Sequence, residues 1–380
     1  MAGGRSIFEE VSETRKPAAT PGGVTGDRGR GRRRVRIFIM ILFVMVVVQI
    51  AVGGLTRLTD SGLSITEWAP ITGAIPPLNE ADWQAELEAY RATTEYQEQN
   101  RGMSLEEFQF IYWWEWGHRQ WARLLGLVWA VGFVGLLATK SVPTGWTGRL
   151  LLLGGLGALQ GLAGWWMVHS GLAPGMFDVA SYRLAVHLVL AFVILALMAW
   201  YIMTLGRQEA ELMTARRDAD RKLNGMATGL LHLSLVQILI GALVAGIDAG
   251  RNYIDWPLMA GAFTPPEMWA LEPWYRNLFE NDGTVQFIHR ITGYVLFLFG
   301  IGAWFASRRS SRAATKRAFD WVAVMMFGQI VLGIVTVMNS SPWYFAILHQ
   351  FGAVVLITLI LRARFLARYP LPQSVRGAVR

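Results

Sequence analysis

The sequence predicts an all-α polytopic membrane protein whose eight transmembrane helices form two repeated four-helix bundles. Three observations lead to this fold class: long apolar stretches, an uneven distribution of charge between their connections, and a set of residues that recurs in both halves. The chain has 380 residues, of which 53% are hydrophobic, and its mean hydropathy is +0.34. Such a composition excludes an ordinary soluble domain.

About 20 consecutive apolar residues are enough to cross a bilayer as a helix. Eight stretches meet this length: 35–55, 116–138, 147–168, 183–204, 225–246, 285–306, 317–338 and 343–364. The predicted organisation is a disordered basic cytoplasmic arm (1–34), a first bundle (35–206) with an outer cap (56–115), a cytoplasmic linker (207–224), a second bundle (225–366) and a cytoplasmic tail (367–380).

The charges are divided unequally between the two sides of the predicted bundle. The side that includes both termini carries 26 Lys and Arg against 9 Asp and Glu, whereas the other side carries 9 against 18. This bias predicts that both termini are cytoplasmic. The basic residues flank spans and do not form a folded face, so we expect no nucleic-acid partner. The acidic residues of the arm favour a bacterial inner membrane over a mitochondrial one, because transit peptides are poor in acids.

No cysteine is present. Disulfide bonds, thiolate metal sites and a thiol nucleophile are therefore excluded. Any metal must be held by nitrogen, oxygen or thioether ligands.

Each odd-numbered span contains a glutamine four residues before a glycine. The pairs are Gln49 with Gly53, Gln160 with Gly164, Gln237 with Gly241, and Gln329 with Gly333. The spacing places both residues on one helix face, where a small residue admits a neighbouring helix and an amide can bond across to it. We interpret the pairs as packing contacts. Aligning them superimposes spans one to four on spans five to eight.

Four of the six histidines lie near the starts of the even-numbered spans: His118, His187, His289 and His349. Alternate spans begin on the same side, so the four imidazoles lie at one depth near the outer face. A polar group there usually faces a cavity, a partner or a cofactor. Two histidine pairs without an adjacent carboxylate or cysteine ligand favour haem iron over zinc. His169 and His232 fall outside the repeated pattern.

Each bundle also has an arginine directly after its first candidate ligand, Arg119 in one half and Arg290 in the other. Guanidinium groups bind carboxylates in a bidentate manner, so these arginines are candidate partners of haem propionates. Snorkelling towards lipid headgroups is the alternative.

The halves differ at one position near these sites. Glu115 lies three residues before His118, on the same helix face, and its aligned residue is Gln286. An acid in one half only suggests one reactive bundle and one bundle that holds electrons. A carboxylate beside a porphyrin could accept a proton or stabilise positive charge. The alternative is an ion pair with Arg119 one helical turn away. The aromatic cap at 56–115 could shield a reactive site from water.

The chain resembles the haem A synthase family between about residues 37 and 366. The resemblance is carried by GGLTRLTDSGLS at 53–64, EWGHR at 115–119, GWWMV at 164–168, FIHR at 287–290 and LHQFG at 348–352. The lack of cysteine is similar to the proteobacterial and mitochondrial branch, which has no cysteine pair in the first outer loop.

The resemblance implies oxidation of the C8 methyl group of haem O to the formyl group of haem A. It further implies that His289 and His349 are axial ligands of a haem b cofactor. His118 and His187 would flank the substrate haem O, with Glu115 as the acidic catalytic residue.

Two other functions remain open at this point: a di-haem electron-transfer cytochrome, and a haem transporter that does not oxidise its cargo. The expected partners of a synthase are haem O, the enzyme that makes haem O, an electron donor that the sequence does not identify, and the lipid bilayer. A homo-oligomer is compatible with the sequence.

Overall fold

The computed structural model describes residues 22–372, with side chains from residue 29 onwards. This part of the chain is helical and contains no strand beyond an isolated bridge between Met259 and Ala262. In chain order the α-helices are α1 (Gly22–Leu58), α2 (Glu80–Arg91), α3 (Thr94–Glu98), α4 (Leu105–Ala138), α5 (Thr147–Gly171), α6 (Ser181–Leu205), α7 (Glu209–Arg217), α8 (Arg221–Gly246), α9 (Asn277–Glu280), α10 (Asp282–Ser307), α11 (Ala313–Met338) and α12 (Trp343–Arg368).

Eight of these helices are long and apolar enough to cross a membrane: α1, α4, α5, α6, α8, α10, α11 and α12. They coincide with the eight predicted spans, and the chain is a multi-pass membrane protein. Large apolar side chains such as Leu127, Val131, Leu298 and Trp321 point outwards from them. Water would penalise such a surface, whereas lipid tails do not.

The first helix begins earlier than the sequence predicts. It starts at Gly22, so the part of the predicted disordered arm between 22 and 34 is helical. Arg32 donates hydrogen bonds to the carbonyl oxygens of Thr204 (2.9 Å) and Arg207 (2.7 Å), and Arg34 donates one to Ser141 (2.7 Å). Because these bonds satisfy carbonyl groups at the end of α6, they tie the basic run to the bundle. Residues 1–21 and 373–380 lie outside the described residues.

Helix α4 also extends beyond its predicted span, starting at Leu105 instead of residue 116. A capping box starts it. The Ser104 backbone N–H donates to the Glu107 carboxylate (2.8 Å), and the Glu107 N–H donates to the Ser104 hydroxyl (3.3 Å). Such reciprocal bonds satisfy the free donors of a first helical turn. The extra turns carry α4 out of the bundle and into the cap.

The long helices form two closed groups. In the first, α1 packs against α4, α4 against α5, α5 against α6, and α6 against α1. In the second, α8 packs against α10, α10 against α11, α11 against α12, and α12 against α8. The two groups meet where α6 contacts α8 and where α12 contacts α1 and α6. Each group therefore has its own interior, with the same order of helices around it.

The connection from 59 to 104 folds over the first group and is called the cap. It contains α2 and α3, and its apolar core joins Leu87 and Tyr90 to Phe108, Ile111 and Tyr112 of α4. The matching connection of the second group runs from 247 to 281. Both connections lie at the same end of the molecule, which we call the cap face.

Candidate functional site

The four repeated histidines lie on α4, α6, α10 and α12, the four long helices that begin at the cap face. His187 is six residues from the start of α6, and His349 is six residues from the start of α12. All four side chains are half-buried. The fold thus brings the predicted site residues to one end of the two groups.

Three of these histidines are held by the glutamine of the preceding odd-numbered span. The amide nitrogen of Gln49 lies 3.2 Å from Nδ1 of His118, and that of Gln160 lies 3.2 Å from Nδ1 of His187. Each amide also donates to the backbone carbonyl of the same histidine, at 3.2 Å and 3.0 Å. Each glutamine thus contacts the ring of its histidine and hydrogen-bonds to the backbone carbonyl of the same residue.

The third pair, in the second group, repeats this geometry. The Gln237 amide nitrogen lies 3.1 Å from Nδ1 of His289 and donates to the His289 carbonyl at 2.8 Å. Its oxygen accepts a hydrogen bond from the Thr292 hydroxyl at 2.5 Å. Trp121 occupies the position of Thr292 in the first group and donates instead to the Met45 carbonyl (2.9 Å). The Gln237 amide is therefore fixed from both ends.

The glycine of each pair makes room for the same imidazole. A Cβ built on Gly53, Gly164, Gly241 or Gly333 would lie 2.6, 3.0, 2.9 or 3.1 Å from Cε1 of the facing histidine. Such approaches are shorter than ordinary van der Waals contacts, so a larger residue would have to displace the ring. The Gln–Gly pairs are thus imidazole cradles, and the interpretation as helix packing alone missed this role. Each pair lies on the span that directly precedes the span of its histidine, and this constant order was the available signal.

The fourth cradle differs from the other three. The amide nitrogen of Gln329 and Nδ1 of His349 are both buried, and neither has a hydrogen-bond partner within residues 22–372. The Gln329 amide instead faces Gly352, within 1.8 Å of where a Cβ would stand. His349 is therefore supported by Gly333 beneath its ring but not by a glutamine beside it.

The two imidazoles of the second group face each other. The ring centres of His289 and His349 are 6.5 Å apart, and the ring planes meet at 77°. No cluster of three or more His, Cys, Asp or Glu side chains suited to a metal ion occurs in the described part of the chain. The pair could supply two nitrogen ligands to a bound group that brings its other ligands with it.

Glu115 is almost completely buried, with 2% of its surface exposed, at the junction of α4 and the cap. One carboxylate oxygen accepts hydrogen bonds from the Ser64 hydroxyl (2.8 Å) and the Ile65 N–H (2.7 Å). The other accepts from Arg119 at 2.5 Å. The ion pair one helical turn apart is thus present, and Glu115 also anchors the start of the cap.

The aligned residue Gln286 anchors the second connection with bonds of opposite direction. Its amide nitrogen donates to the carbonyl oxygens of Ala249 (2.9 Å) and Tyr253 (3.2 Å), and its oxygen accepts from Arg290 (3.1 Å). A carboxylate can only accept, so it suits the N–H and hydroxyl groups facing Glu115 and not these carbonyls. The presence of Glu115 in one group and Gln286 in the other therefore corresponds to hydrogen-bond donors in the first connection and carbonyl acceptors in the second.

The two arginines after the first histidine of each group also hold the connections. Arg119 donates to the carbonyl oxygens of Ile65 (2.9 Å) and Glu67 (3.0 Å). Arg290 donates to those of Tyr253, Asp255 and Leu258, at 2.8 to 3.0 Å. Arg119 in addition lines a cavity of about 190 Å³ beside the cap.

The remaining two histidines lie apart from the four cradles. His169 lines the same cavity as Arg119 and stacks on Trp165, with ring centres 5.9 Å apart. His232 is on α8, with Nδ1 2.9 Å from the Thr228 carbonyl one turn earlier. His232 thus has a local partner, as expected for a residue outside the repeat, and His169 borders a cavity of the first group.

The fold and the site define a class of protein: a multi-pass membrane protein with two helix groups, each presenting a pair of imidazoles near the cap face. Comparison with known proteins narrows the class. Residues 36–361 match the family model described as cytochrome oxidase assembly protein. The chain is 86% identical over 378 residues to the haem A synthase of Jannaschia sp. (strain CCS1), with 100% of both chains covered.

Two further relatives carry the same name. The haem A synthase of Dinoroseobacter shibae is 64% identical over 386 residues, covering 100% of both chains. That of Paracoccus denitrificans is 55% identical over 378 residues, covering 99% of both. The chain belongs to the haem A synthase family of cytochrome oxidase assembly proteins.

Proposed function

We propose that the chain is a membrane oxidoreductase that converts haem O to haem A by oxidising the C8 methyl group, through the alcohol, to a formyl group. The observation that carries the proposal is the pairing of two imidazole sites, only one of which has a carboxylate beside it, in a chain 86% identical to a haem A synthase. The acid-bearing group is the substrate site, and the other is the cofactor site.

We assign haem b to His289 and His349 as axial ligands. An imidazole nitrogen sits about 2 Å from a bound metal ion, and the ring centre lies roughly 1 Å further on, so two ligands on opposite sides of one iron have ring centres about 6 Å apart. The observed 6.5 Å fits this arrangement. When bound, haem b supplies one-electron redox chemistry. The chain's part is to hold the two rings and to surround them with apolar helices.

The first group is the proposed site of haem O, with His118 and His187 on either side of its iron. Both rings are held by glutamines and seated over glycines, so the chain fixes the porphyrin relative to α4. Glu115 lies one helical turn from His118, towards the cap. Its buried carboxylate is the proposed acceptor of a proton, or stabiliser of positive charge, as the methyl carbon is oxidised.

Arg119 and Arg290 are the proposed contacts of the haem propionates. Each directly follows a proposed ligand, and a guanidinium group could bind a propionate carboxylate through two hydrogen bonds. The Arg119 guanidinium also borders a cavity of about 190 Å³. The cap above it is expected to exclude bulk water from the reacting carbon.

The setting follows from the charge distribution and the relatives. We propose a bacterial inner membrane with both termini in the cytoplasm, because the basic connections lie on that side. Haem O then comes from the enzyme that makes it in the same membrane. Converting a methyl to a formyl group takes up one oxygen atom, from water or dioxygen, so an external electron acceptor or donor must balance the electrons by exchange with haem b. A homo-oligomer is compatible with this arrangement.

Pigment analysis tests the function. The chain is expressed in cells that make haem O, purified in detergent, and its haems are extracted and weighed by mass spectrometry. Haem b together with haem O, its hydroxylated form or haem A is the expected result. Two molecules of haem b per chain, with no other haem, would instead identify an electron-transfer cytochrome. Bound haem O that is never converted to its hydroxylated or formyl form would identify a transporter.

Histidine variants test the assignment of the two sites. We expect His289→Ala or His349→Ala to lose haem b, and His118→Ala or His187→Ala to lose haem O while keeping haem b. Loss of both pigments together from every variant would contradict two separate sites.

A further inference from the structure

The two imidazoles of the proposed haem b site have unequal surroundings. The Gln237 amide contacts the ring and carbonyl of His289 with its nitrogen and the Thr292 hydroxyl with its oxygen. Since both ends of the amide are occupied, its plane cannot turn without breaking a hydrogen bond. The ring of His289 is thus held in one orientation.

On the opposite side of the same site, His349 has no such contact. Its Nδ1 and the Gln329 amide nitrogen are both buried without a hydrogen-bond partner among the described residues. Buried polar groups are usually bonded, so this pair is unusual. Gln329 occupies the same place in its helix as the other three glutamines, four residues before a glycine, yet it turns towards Gly352.

The Gln237 amide nitrogen lies 3.1 Å from Nδ1 and 3.4 Å from Nε2 of His289, so it packs against the ring and does not single out one nitrogen. A metal-bound imidazole donates the proton of its second nitrogen, and an amide N–H cannot accept that proton, so the amide acts by fixing the ring plane and the backbone of His289. Loss of a side chain that orients a metal ligand typically weakens metal binding by about 10- to 100-fold. A glutamine that holds one axial ligand in one orientation would therefore influence both the affinity for the haem and its redox potential.

We propose that Gln237, whose amide is fixed by Thr292, is a positioning residue that holds the His289 ring and thereby influences the affinity and redox potential of the haem bound there. Gln329 does not hold His349 in this way. This inference rests on the proposed assignment of haem b to the second group. It makes the two axial ligands of one haem unequal, with His289 the firmly held ligand. In the first group both ligands are held, by Gln49 and Gln160.

The test compares two matched variants at the same haem. Gln237→Leu and Gln329→Leu each remove one amide from the second group without changing a ligand. The full-length protein is purified with its bound haem, and the midpoint potential, the low-spin electron paramagnetic resonance spectrum and haem retention are measured. We expect Gln237→Leu to shift the potential, alter the g values and lower haem affinity by about 10- to 100-fold. Gln329→Leu should keep wild-type values for all three.

A third variant covers the case in which Gln237→Leu does not fold. Thr292→Val keeps His289 and Gln237 and removes only the hydroxyl that orients the amide, so it should shift the g values in the same direction by a smaller amount. The inference is overturned if Gln237→Leu and Thr292→Val match the wild type, or if Gln329→Leu shifts the spectrum as much as Gln237→Leu. If the wild-type protein holds no haem b, the proposed function fails instead.

Discussion

Glu115 illustrates how one residue can serve both structure and chemistry. Its two oxygens accept from Ser64, Ile65 and Arg119, which fastens the cap to α4. The same carboxylate is one helical turn from His118. The proposed catalytic role and the structural role therefore have to be separated by variants that affect only one of them.

Glu115→Gln is expected to reduce formation of the formyl product by about 100-fold or more, since it removes the ionisable group. Haem O should still bind, because His118 and His187 are unchanged. Ser64→Ala is the matched control: it removes one hydrogen bond to Glu115 worth about 1 kcal/mol but leaves the carboxylate. Turnover of haem O by purified protein is the measurement. Equal losses in both variants would show that Glu115 only anchors the cap.

Glu95 in the cap gives a pH-dependent prediction. It is 4% exposed, and burial raises the pKa of its carboxyl group from 4.5 to about 8. The folded cap therefore binds this proton more tightly than the unfolded chain does. This contribution to stability is complete below about pH 4.5 and is lost as the pH rises through about 8.

Glu95→Gln should thus stabilise the cap by about 4 to 5 kcal/mol at pH 9 and by less than about 1 kcal/mol at pH 5. The measurement is the melting temperature of the purified protein, followed by tryptophan fluorescence between these pH values. Glu98→Gln, on the exposed side of the same short helix, is the control and should show no such trend. A pH-independent effect of Glu95→Gln would refute the prediction.

At the scale of a helix, α5 shows that a small residue is needed only where a side chain of a neighbouring helix approaches the backbone. Gly164 lies under His187, with 3.0 Å between a built Cβ and Cε1 of the ring, whereas Gly161 on the same helix has open space around it. Both positions are glycine, yet only one is constrained by a neighbour. The two glycines are one helical turn apart, and only at Gly164 does a side chain of the neighbouring helix approach the backbone.

Gly164→Leu is expected to displace His187 and weaken haem O binding by about 10-fold or more, since overpacking a fitted contact costs about 1 to 3 kcal/mol. Gly161→Leu, which points into open space, should bind haem O as the wild type does. Optical titration of the purified variants with haem O measures both. The prediction fails if the two variants bind equally.

The sequence predicted the positions of the eight membrane-spanning helices closely, except for the starts of two of them. Span ends in α5, α6, α8, α10, α11 and α12 fall within a few residues of the predicted ones, because hydropathy is a local property. The starts of α1 and α4 were predicted too late. The extra turns of α1 are polar, whereas those of α4 pack aromatic side chains into the core of the cap. Both are stabilised by contacts that hydropathy does not report, namely the arginine bonds to the end of α6 and the capping box at Ser104.

At the scale of the whole molecule, Arg57 joins several connections at the cap face. Its guanidinium group pairs with Asp60 (2.9 Å) and Asp248 (3.1 Å), lies 3.9 Å from Asp178 and donates to the Ala245 carbonyl (3.0 Å). These partners come from both helix groups. Arg57 is therefore an ionic link between the two halves.

Arg57→Ala should destabilise the protein by about 1 to 2 kcal/mol, because it removes the shared cation of three partly exposed carboxylates and a hydrogen bond to the Ala245 carbonyl. Arg251→Ala is the control: Arg251 is half-exposed and 3.6 Å from Asp248, so its loss should cost less than about 1 kcal/mol. Thermal unfolding of the two purified variants decides between these outcomes. A stability loss in Arg251→Ala as large as that in Arg57→Ala would contradict the proposed link.

The sequence by itself determined the eight spans, their grouping and the four histidines at one end. Each of these follows from composition and spacing along the chain. Only the tertiary structure decided what the glutamines do and what Glu115 contacts. Gln49 meets His118 across 69 residues and Gln237 meets His289 across 52, whereas Gln329 misses His349. Such contacts depend on how neighbouring helices turn against each other, which the spacing within one helix does not specify.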